Sequence, residues 1–256
     1  MIEGVIFDLG ETLIHFEGTW PETIEASQHA LTRALDAEGI ALDREEFHKV
    51  WHVEMQAAYQ ARDEDETERP SRELLAMVLG RYGYPDVSAG AIDRCLEAMY
   101  AESETHWEPM PEAHSVLDSM ASDYRLGMIS NAGDAANVER LIDKGGFRPY
   151  FDPILISAAL RIRKPSPKIF EMLLRGWDLP PEAVVMVGDT LGADVLGAQR
   201  AGMHQIWLSG QAEREDNLEY AKRVEPELTA ATLAEVPELV RSLTGAQGRA
   251  SRKAAG

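Results

Sequence analysis

Two hydrophobic periods alternate along the chain, and their order predicts its architecture. The run Val5-Ile6-Phe7, preceded by Ile2, is β-branched and aromatic and ends at Asp8, which predicts a short buried strand. From about Phe16 to Trp107 the period becomes helical, with no convincing strand. Phe47, Trp51, Met55 and Ala58 share one face, as do Ile24, Leu31 and Leu35, and again Leu74, Leu75, Val78 and Leu79. The run Asp63-Glu64-Asp65-Glu66, followed by Arg69-Pro70, reads as a solvated loop that breaks the helices, since nothing makes its acids converge on one point.

Beyond Trp107 strands and helices alternate. The pattern predicts a helix to about Ser122 with Pro109 and Pro111 near its start, a strand at 125–130, and a helix over 134–144 stopped by Gly145-Gly146. A strand at 154–157, a helix from about Pro167 to Arg175 and a strand at 184–187 follow. A helix over 191–201 stops at Gly202, and Gln205–Leu208 closes the strand series. A last helix lies near 236–243, and the Gly/Ala/basic segment 245–256 is expected to be a mobile tail.

One strand, an all-helical insert and then repeated αβ units predict an α/β fold: a doubly wound, mostly parallel Rossmann-like sheet. The expected division is a core of 1–15 and 108–245, a helical insert of 16–107 and a tail of 246–256. The insert leaves the chain just after the first strand, beside the crevice at the carboxyl ends of the strands where ligands bind in such sheets, and is placed to act as a lid.

Composition narrows the function. A length of 256 residues suits one large domain or two smaller ones. No run approaches the roughly 18 apolar residues of a membrane span, and the chain opens on a strand without a secretory leader, so a cytoplasmic protein is expected. The single cysteine, Cys95, excludes an internal disulfide. Its helical spacing with Ile92, Leu96 and Met99 marks it as a packed helix residue rather than a nucleophile. A net charge of −19 repels nucleic acid and anionic lipid, so neither is expected as a partner, and any phosphate site must be corrected locally by a cation. Nothing in the pattern specifies an oligomeric state.

The polar residues at the strand ends carry the chemistry. Asp8 ends the first strand, Ser130 closes the strand at 125–130 with Asn131 just past it, and Asp189 follows Gly188, with Asp194 five residues on. Lys164-Pro165 lies in a basic loop between strands. Residues just past parallel strands share one edge, so these groups can meet around a metal ion and a phosphate. The arrangement resembles the haloacid dehalogenase-like (HAD) superfamily, and within it the members with an α-helical cap inserted after the first strand. The resemblance covers nearly the whole chain apart from the tail. It rests on four motifs in order, each one common by itself.

The resemblance implies a Mg2+-dependent phosphatase acting on a small phosphorylated metabolite through an aspartyl-phosphate. Asp8 would be the nucleophile and, with the backbone carbonyl of Gly10, Asp189 and Asp194, a metal ligand. Ser130 and the backbone N–H of Asn131 would bind phosphoryl oxygens, Lys164 would neutralise developing charge, and Thr12 would close the first motif's turn at the substrate.

One position departs from the family. Its first motif reads Asp-x-Asp-x-Thr, the second Asp serving as acid and base, and here that position is Gly10. General acid–base help is typically worth ~10²–10⁴-fold. Three readings follow: a phosphatase that is slow, acts on good leaving groups or recruits another acid such as Glu11; a metal-free 2-haloacid dehalogenase-like enzyme, a branch that usually carries an aromatic hydroxyl at this point; or a noncatalytic binder of a phosphorylated ligand. The first fits the paired Asp189 and Asp194 best. At the insert's start, His15, Phe16 and Trp20 either line the crevice or pack the hinge. Insert arginines Arg62, Arg69, Arg72, Arg81 and Arg94 either read an extra anionic group or form surface ion pairs.

Overall fold

The first apolar run forms β1 (Gly4–Phe7) at the centre of a six-stranded sheet in the computed structural model, which describes residues 1–244. The expected tail lies outside the described residues. After β1 come β2 (Ile14–Phe16) and four helices, α1 (Trp20–Ala37), α2 (Arg44–Asp65), α3 (Ser71–Arg81) and α4 (Ala89–Glu104), then β3 (Trp107–Pro109). The alternating part begins with α5 (Ala113–Met120), β4 (Arg125–Ser130), α6 (Ala135–Lys144), β5 (Ile154–Ile156), the one-turn α7 (Ser157–Leu160) and α8 (Pro167–Trp177). It continues with β6 (Val184–Gly188), a π-helical turn at Leu191–Val195 that runs into α9 (Leu196–Arg200), β7 (His204–Leu208), α10 (Glu215–Tyr220) and β8 (Leu228–Ala230). Residues 236–244 are helical.

All six strands of the sheet run parallel, in the order β5-β4-β1-β6-β7-β8. The chain builds outward from β1 to β4 and β5, returns to β6, and builds out the other way. The strand order therefore reverses beside β1, and the crevice beyond that reversal is where such a sheet binds ligands. β1, β4 and β6 deliver Asp8, Ser130 and Asp189 there.

Strand alternation supplies a core on each face. Val5, Phe7, Met128, Val185 and Val187 join the cluster with α5, α6 and the helix at 236–244. Ile6, Ile129, Val184 and Met186 point the other way, against Ile169, Phe170, Leu173 and Trp177 of α8. Helices α1 to α4 gather a separate cluster around Leu31, Leu35, Phe47, Trp51, Leu75, Val78, Leu79 and Leu96. Cys95 belongs to that cluster and is fully buried, and burial pushes its thiol up to about 11. None of the helices among the described residues is long and apolar enough to cross a membrane.

The structure corrects several sequence expectations. Strands β2 and β3 pair antiparallel, Phe16 opposite Trp107, at the two ends of the stretch read as strand-free. Pro109 therefore ends a strand rather than starting a helix. β8 pairs with β7 and extends the sheet beyond the expected last strand. Each of these strands spans three residues, too short for an alternating pattern to stand out. The acidic run belongs largely to α2, which continues to Asp65 and ends at Glu66 in the left-handed region. Asp65 accepts a hydrogen bond from the Thr67 N–H and pairs with Arg69, which terminates the helix. Ile24 stays exposed while its neighbour Thr23 is buried, so the amino-terminal end of α1 turns a different residue inward.

Candidate active site

Three carboxylates and a lysine meet at the strand ends. Ligand oxygens of Asp8, Asp189 and Asp194 all lie within 4.8 Å of one another. Lys164 Nζ donates to Asp8 Oδ1 and to Asp194 Oδ1, both at 2.6 Å. The lysine is fully enclosed, so its two ion pairs are shielded from solvent. The π-helical turn after β6 brings Asp194 back toward the strand, where its Oδ2 accepts from the Thr190 N–H at 3.0 Å. Gly188 makes room for this: a Cβ there would sit 2.3 Å from Asp194 Cγ. Such turns often mark functional sites.

Asp189 is held from the other side. Arg214 Nη1 donates to its Oδ2 at 3.0 Å, and Arg214 Nη2 reaches Thr190 Oγ1 at 2.8 Å. The Asp189 carbonyl accepts from Trp207 Nε1 and Asn217 Nδ2, both at 2.9 Å, while Asn217 Oδ1 accepts from the Leu191 N–H. Arg214, Asn217 and Trp207 escaped the sequence reading. Arg214 lies six residues past β7, in the same row of strand-end loops, which is the one signal that could have pointed to it.

The charges are unbalanced. Burial, with the Asp194 charge adding to it, outweighs Lys164 and raises the Asp8 pKa from 3.8 to about 6. Burial and the charges of Asp8 and Asp194 hold the Asp189 carboxyl well above the usual carboxylate range. Burial alone would lower the pKa of Lys164, but the charges of Asp194 and Asp8 outweigh it and the net shift is upward. Three carboxylates face Lys164 and Arg214, and Arg214 is shared with Asp216, so a further positive charge would relieve the group. The donor set is all carboxylate oxygen, as a hard divalent cation requires, and the residues present fit Mg2+.

A cavity of about 490 Å³ opens on this cluster and is also lined by Gly10, Glu11, Ser130 and Asn131. Ser130 is buried at its edge. The Asn131 carboxamide is committed to the lysine loop: its Oδ1 accepts from the Lys164 N–H and its Nδ2 donates to the Lys164 carbonyl, both at 2.9 Å. Thr12 is buried without lining the cavity, and its Oγ1 has no hydrogen-bond partner. A Cβ at Gly10 would lie 3.6 Å from Trp107, so a β-carbon fits but a longer side chain has to pass the indole. Both Glu11 oxygens are engaged as acceptors, one from the Phe16 N–H at 3.2 Å and one from Gln211 Nε2 at 2.7 Å.

At the start of the insert, Trp20 lines the cavity and Phe16 does not: Phe16 stacks on Trp20 with centroids 4.0 Å apart. His15 lies outside and approaches Glu17. Among the five insert arginines, Arg69, Arg72, Arg81 and Arg94 pair with Asp65, Asp93, Glu54 and Glu38, and Arg62 alone of the five lines the cavity.

A cluster of carboxylates bridged by a buried lysine at the switch point of a parallel sheet defines a hydrolase site of the class the four motifs resemble. The chain belongs to the haloacid dehalogenase-like hydrolases, a family it matches over residues 2–202. It is 30% identical to the glyceraldehyde 3-phosphate phosphatase of Methanothermobacter thermautotrophicus over 224 residues, 84% of this chain and 90% of that protein. To the pyrimidine 5'-nucleotidase YjjG of Escherichia coli it is 33% identical over 133 residues, 52% of this chain and 56% of that one. The 2-haloacid dehalogenase of Pseudomonas syringae pv. Tomato DC3000 shares its fold with a TM-score of 0.70 at 28% identity, covering 94% of this chain and 99% of that chain.

Proposed function

We propose that the chain is a Mg2+-dependent phosphatase that cleaves a small phosphomonoester through an aspartyl-phosphate on Asp8. The observation that carries this reading is the meeting of Asp8, Asp189 and Asp194 within 4.8 Å around a lysine. The names of two relatives, a glyceraldehyde 3-phosphate phosphatase and a pyrimidine 5'-nucleotidase, support it. An Asp8 oxygen attacks phosphorus, the bond from phosphorus to the alcohol oxygen breaks, and water then cleaves the acyl phosphate to regenerate the carboxylate and release phosphate. Asp8, Asp189, Asp194 and the Gly10 carbonyl would hold the ion, which when bound supplies positive charge for the phosphoryl oxygens.

Lys164 restrains Asp8 in position and offsets its charge, and the Ser130 hydroxyl with the Asn131 N–H receives the phosphoryl group. Gly10 gives the departing oxygen no proton from this position, so esters of acidic alcohols are favoured. The segment 16–107 acts as a cap, with Trp20 excluding water from the closed cavity.

The test is phosphate release from a panel of small phosphomonoesters with Mg2+ or EDTA, with Asp8→Asn as control. Mg2+-dependent release that the variant lacks is expected, and silence across the panel would overturn the reading. The likeness to a 2-haloacid dehalogenase favours a second reading, carbon attack by Asp8 with halide loss. Halide release from 2-haloacids that survives EDTA would put it first.

A further inference from the structure

The cavity that opens on Asp8 also has an apolar side that phosphoryl transfer does not use. Ile14, Trp20, Trp107, Val138 and Leu141 all line it. Trp20 is the first residue of α1 and Trp107 the first of β3, so the two ends of the insert each contribute an indole. Their ring centroids lie 6.1 Å apart at an interplanar angle of 66°. Phe16, which does not line the cavity, braces both indoles. It stacks flat on Trp20 and meets Trp107 at 68° with centroids 5.3 Å apart. Aromatic packing thus fixes the two rings and presents them to the cavity, and Trp20 stays half exposed.

Trp107 stands close to the reacting group. A Cβ on Gly10 would lie 3.6 Å from its Cη2, so indole carbon fills the ground into which a longer side chain at position 10 would extend. Gly10 is two residues from the nucleophile. The departing oxygen therefore meets no acid at Gly10, and an aromatic surface adjoins it. A phenolic oxygen suits both features. The phenol of tyrosine has a pKa of about 10, against about 15.7 for water, whose conjugate base an aliphatic alkoxide resembles. A phenolate can thus leave without first receiving a proton, and its planar ring packs well edge-on or offset against indoles.

We propose that the substrate is an aryl phosphate, its ring packed against Trp20 and Trp107 while its phosphoryl group is held at Asp8. The inference rests on the phosphatase reading above and names its substrate class. The bond from phosphorus to the phenolic oxygen breaks with its electron pair going to that oxygen, and the phenolate takes a proton from solvent after it has left. Because the aromatic side adjoins Gly10, the ring belongs on the ester oxygen itself rather than at the end of a spacer such as a ribose. A cavity of about 490 Å³ admits a small aromatic molecule.

The test uses the full chain with Mg2+ and separates recognition of the ring from acidity of the leaving group. Ring recognition is read from competitive inhibition of p-nitrophenyl phosphate hydrolysis by phosphonates, from which no group departs. Phenylphosphonate is expected to bind about tenfold or more tighter than methylphosphonate, and about threefold or more tighter than cyclohexylphosphonate, which matches its size without a π face. W20L and W107L each narrow both ratios, and Trp20, being half exposed, can be replaced without opening a core. In turnover, kcat/KM for phenyl phosphate is expected to exceed that for benzyl phosphate and for uridine 5'-monophosphate by at least about tenfold, since both keep an aromatic ring but must expel an alkoxide. Turnover with equal inhibition by phenylphosphonate and either control overturns the aryl subsite alone and leaves the phosphatase reading standing. A preference undiminished in folded W20L and W107L does the same, as does benzyl phosphate or the nucleotide outrunning phenyl phosphate. Absence of turnover on every substrate, p-nitrophenyl phosphate included, overturns the phosphatase reading and the subsite with it.

Discussion

Asp8, Ser130 and Asp189 stand at the ends of strands packed from both faces, whereas Trp20 and Arg62 reach the same cavity from helices with an apolar cluster of their own. On the sheet side, register fixes each group: Phe7 lies between Met128 and Val187, so the residues that follow these strands emerge side by side. On the helical side, position depends on polar links across the junction rather than on strand register, with Glu104 held by Asn137 and Arg140 and Glu66 by Arg200 among them. Ser71 N–H donates to the Gly133 carbonyl at 2.8 Å, Glu68 N–H to the Arg161 carbonyl at 3.3 Å, and Ser157 to Glu68. The difference teaches where tolerance should lie. On the proposed reading, groups set by register serve bond making, and groups held by side-chain links across the junction serve selection.

The largest effect that bears on this contrast comes from the floor. Asp8→Asn should cut phosphate release by at least ~10³-fold, with an unchanged circular dichroism spectrum. A variant that keeps a tenth of the activity would break the assignment of chemistry to the sheet edge. Next, Lys164→Met leaves Asp8 and Asp194 facing each other without their shared cation. Urea unfolding in EDTA should show a loss of about 3–5 kcal/mol, as for a broken buried ion pair, and Mg2+ should restore part of it. A loss near zero would mean that the lysine does not hold the floor together.

A smaller effect comes from the burial of Asp8, which disfavours its charged form. Its pKa is raised from 3.8 to about 6 in the folded chain, so between those values the folded state binds more protons than the unfolded one. Its contribution is therefore fully present below about pH 4 and is lost as pH rises through about 6. In EDTA, Asp8→Asn should melt a few degrees higher than wild type at pH 7.5, with the gap closing toward pH 4. A gap that widens on acidification would reverse the sign. The smallest effect belongs to the helical side: Trp20→Ala should raise KM by roughly threefold to tenfold with little change in kcat. A collapse of kcat instead would erase the distinction between the two regions.

How far the sequence reveals this arrangement follows the same contrast. β1, β4 and β6 are buried on both faces, so they read as unbroken apolar runs, and the polar residues that end them stand out. Asp8, Ser130 and Asp189 were legible for that reason, Lys164 and Asp194 by their place in the motifs that carry the family resemblance, and the structure brings all five to one cavity. Three-residue strands such as β2, β3 and β8 give no period to detect. Arg214, Asn217 and Glu68 were not legible, because their importance lies in partners far along the chain: Glu68 meets Ser157 across 89 residues and Asn217 meets Asp189 across 28. Thr12 was legible as a motif residue, but the structure buries it without lining the cavity, beside a turn in which Glu11 adopts a φ of 54°.

The reciprocal clamp between Asn131 and the Lys164 backbone joins two loops from distant parts of the chain into one mechanical piece. Substituting Asn131 should thus be felt first in how far the lysine reaches toward Asp8, and only afterwards in the grip on phosphate. Grafting either loop alone from a relative would put the ammonium out of step with its carboxylates, whereas grafting both together keeps the spacing that catalysis needs.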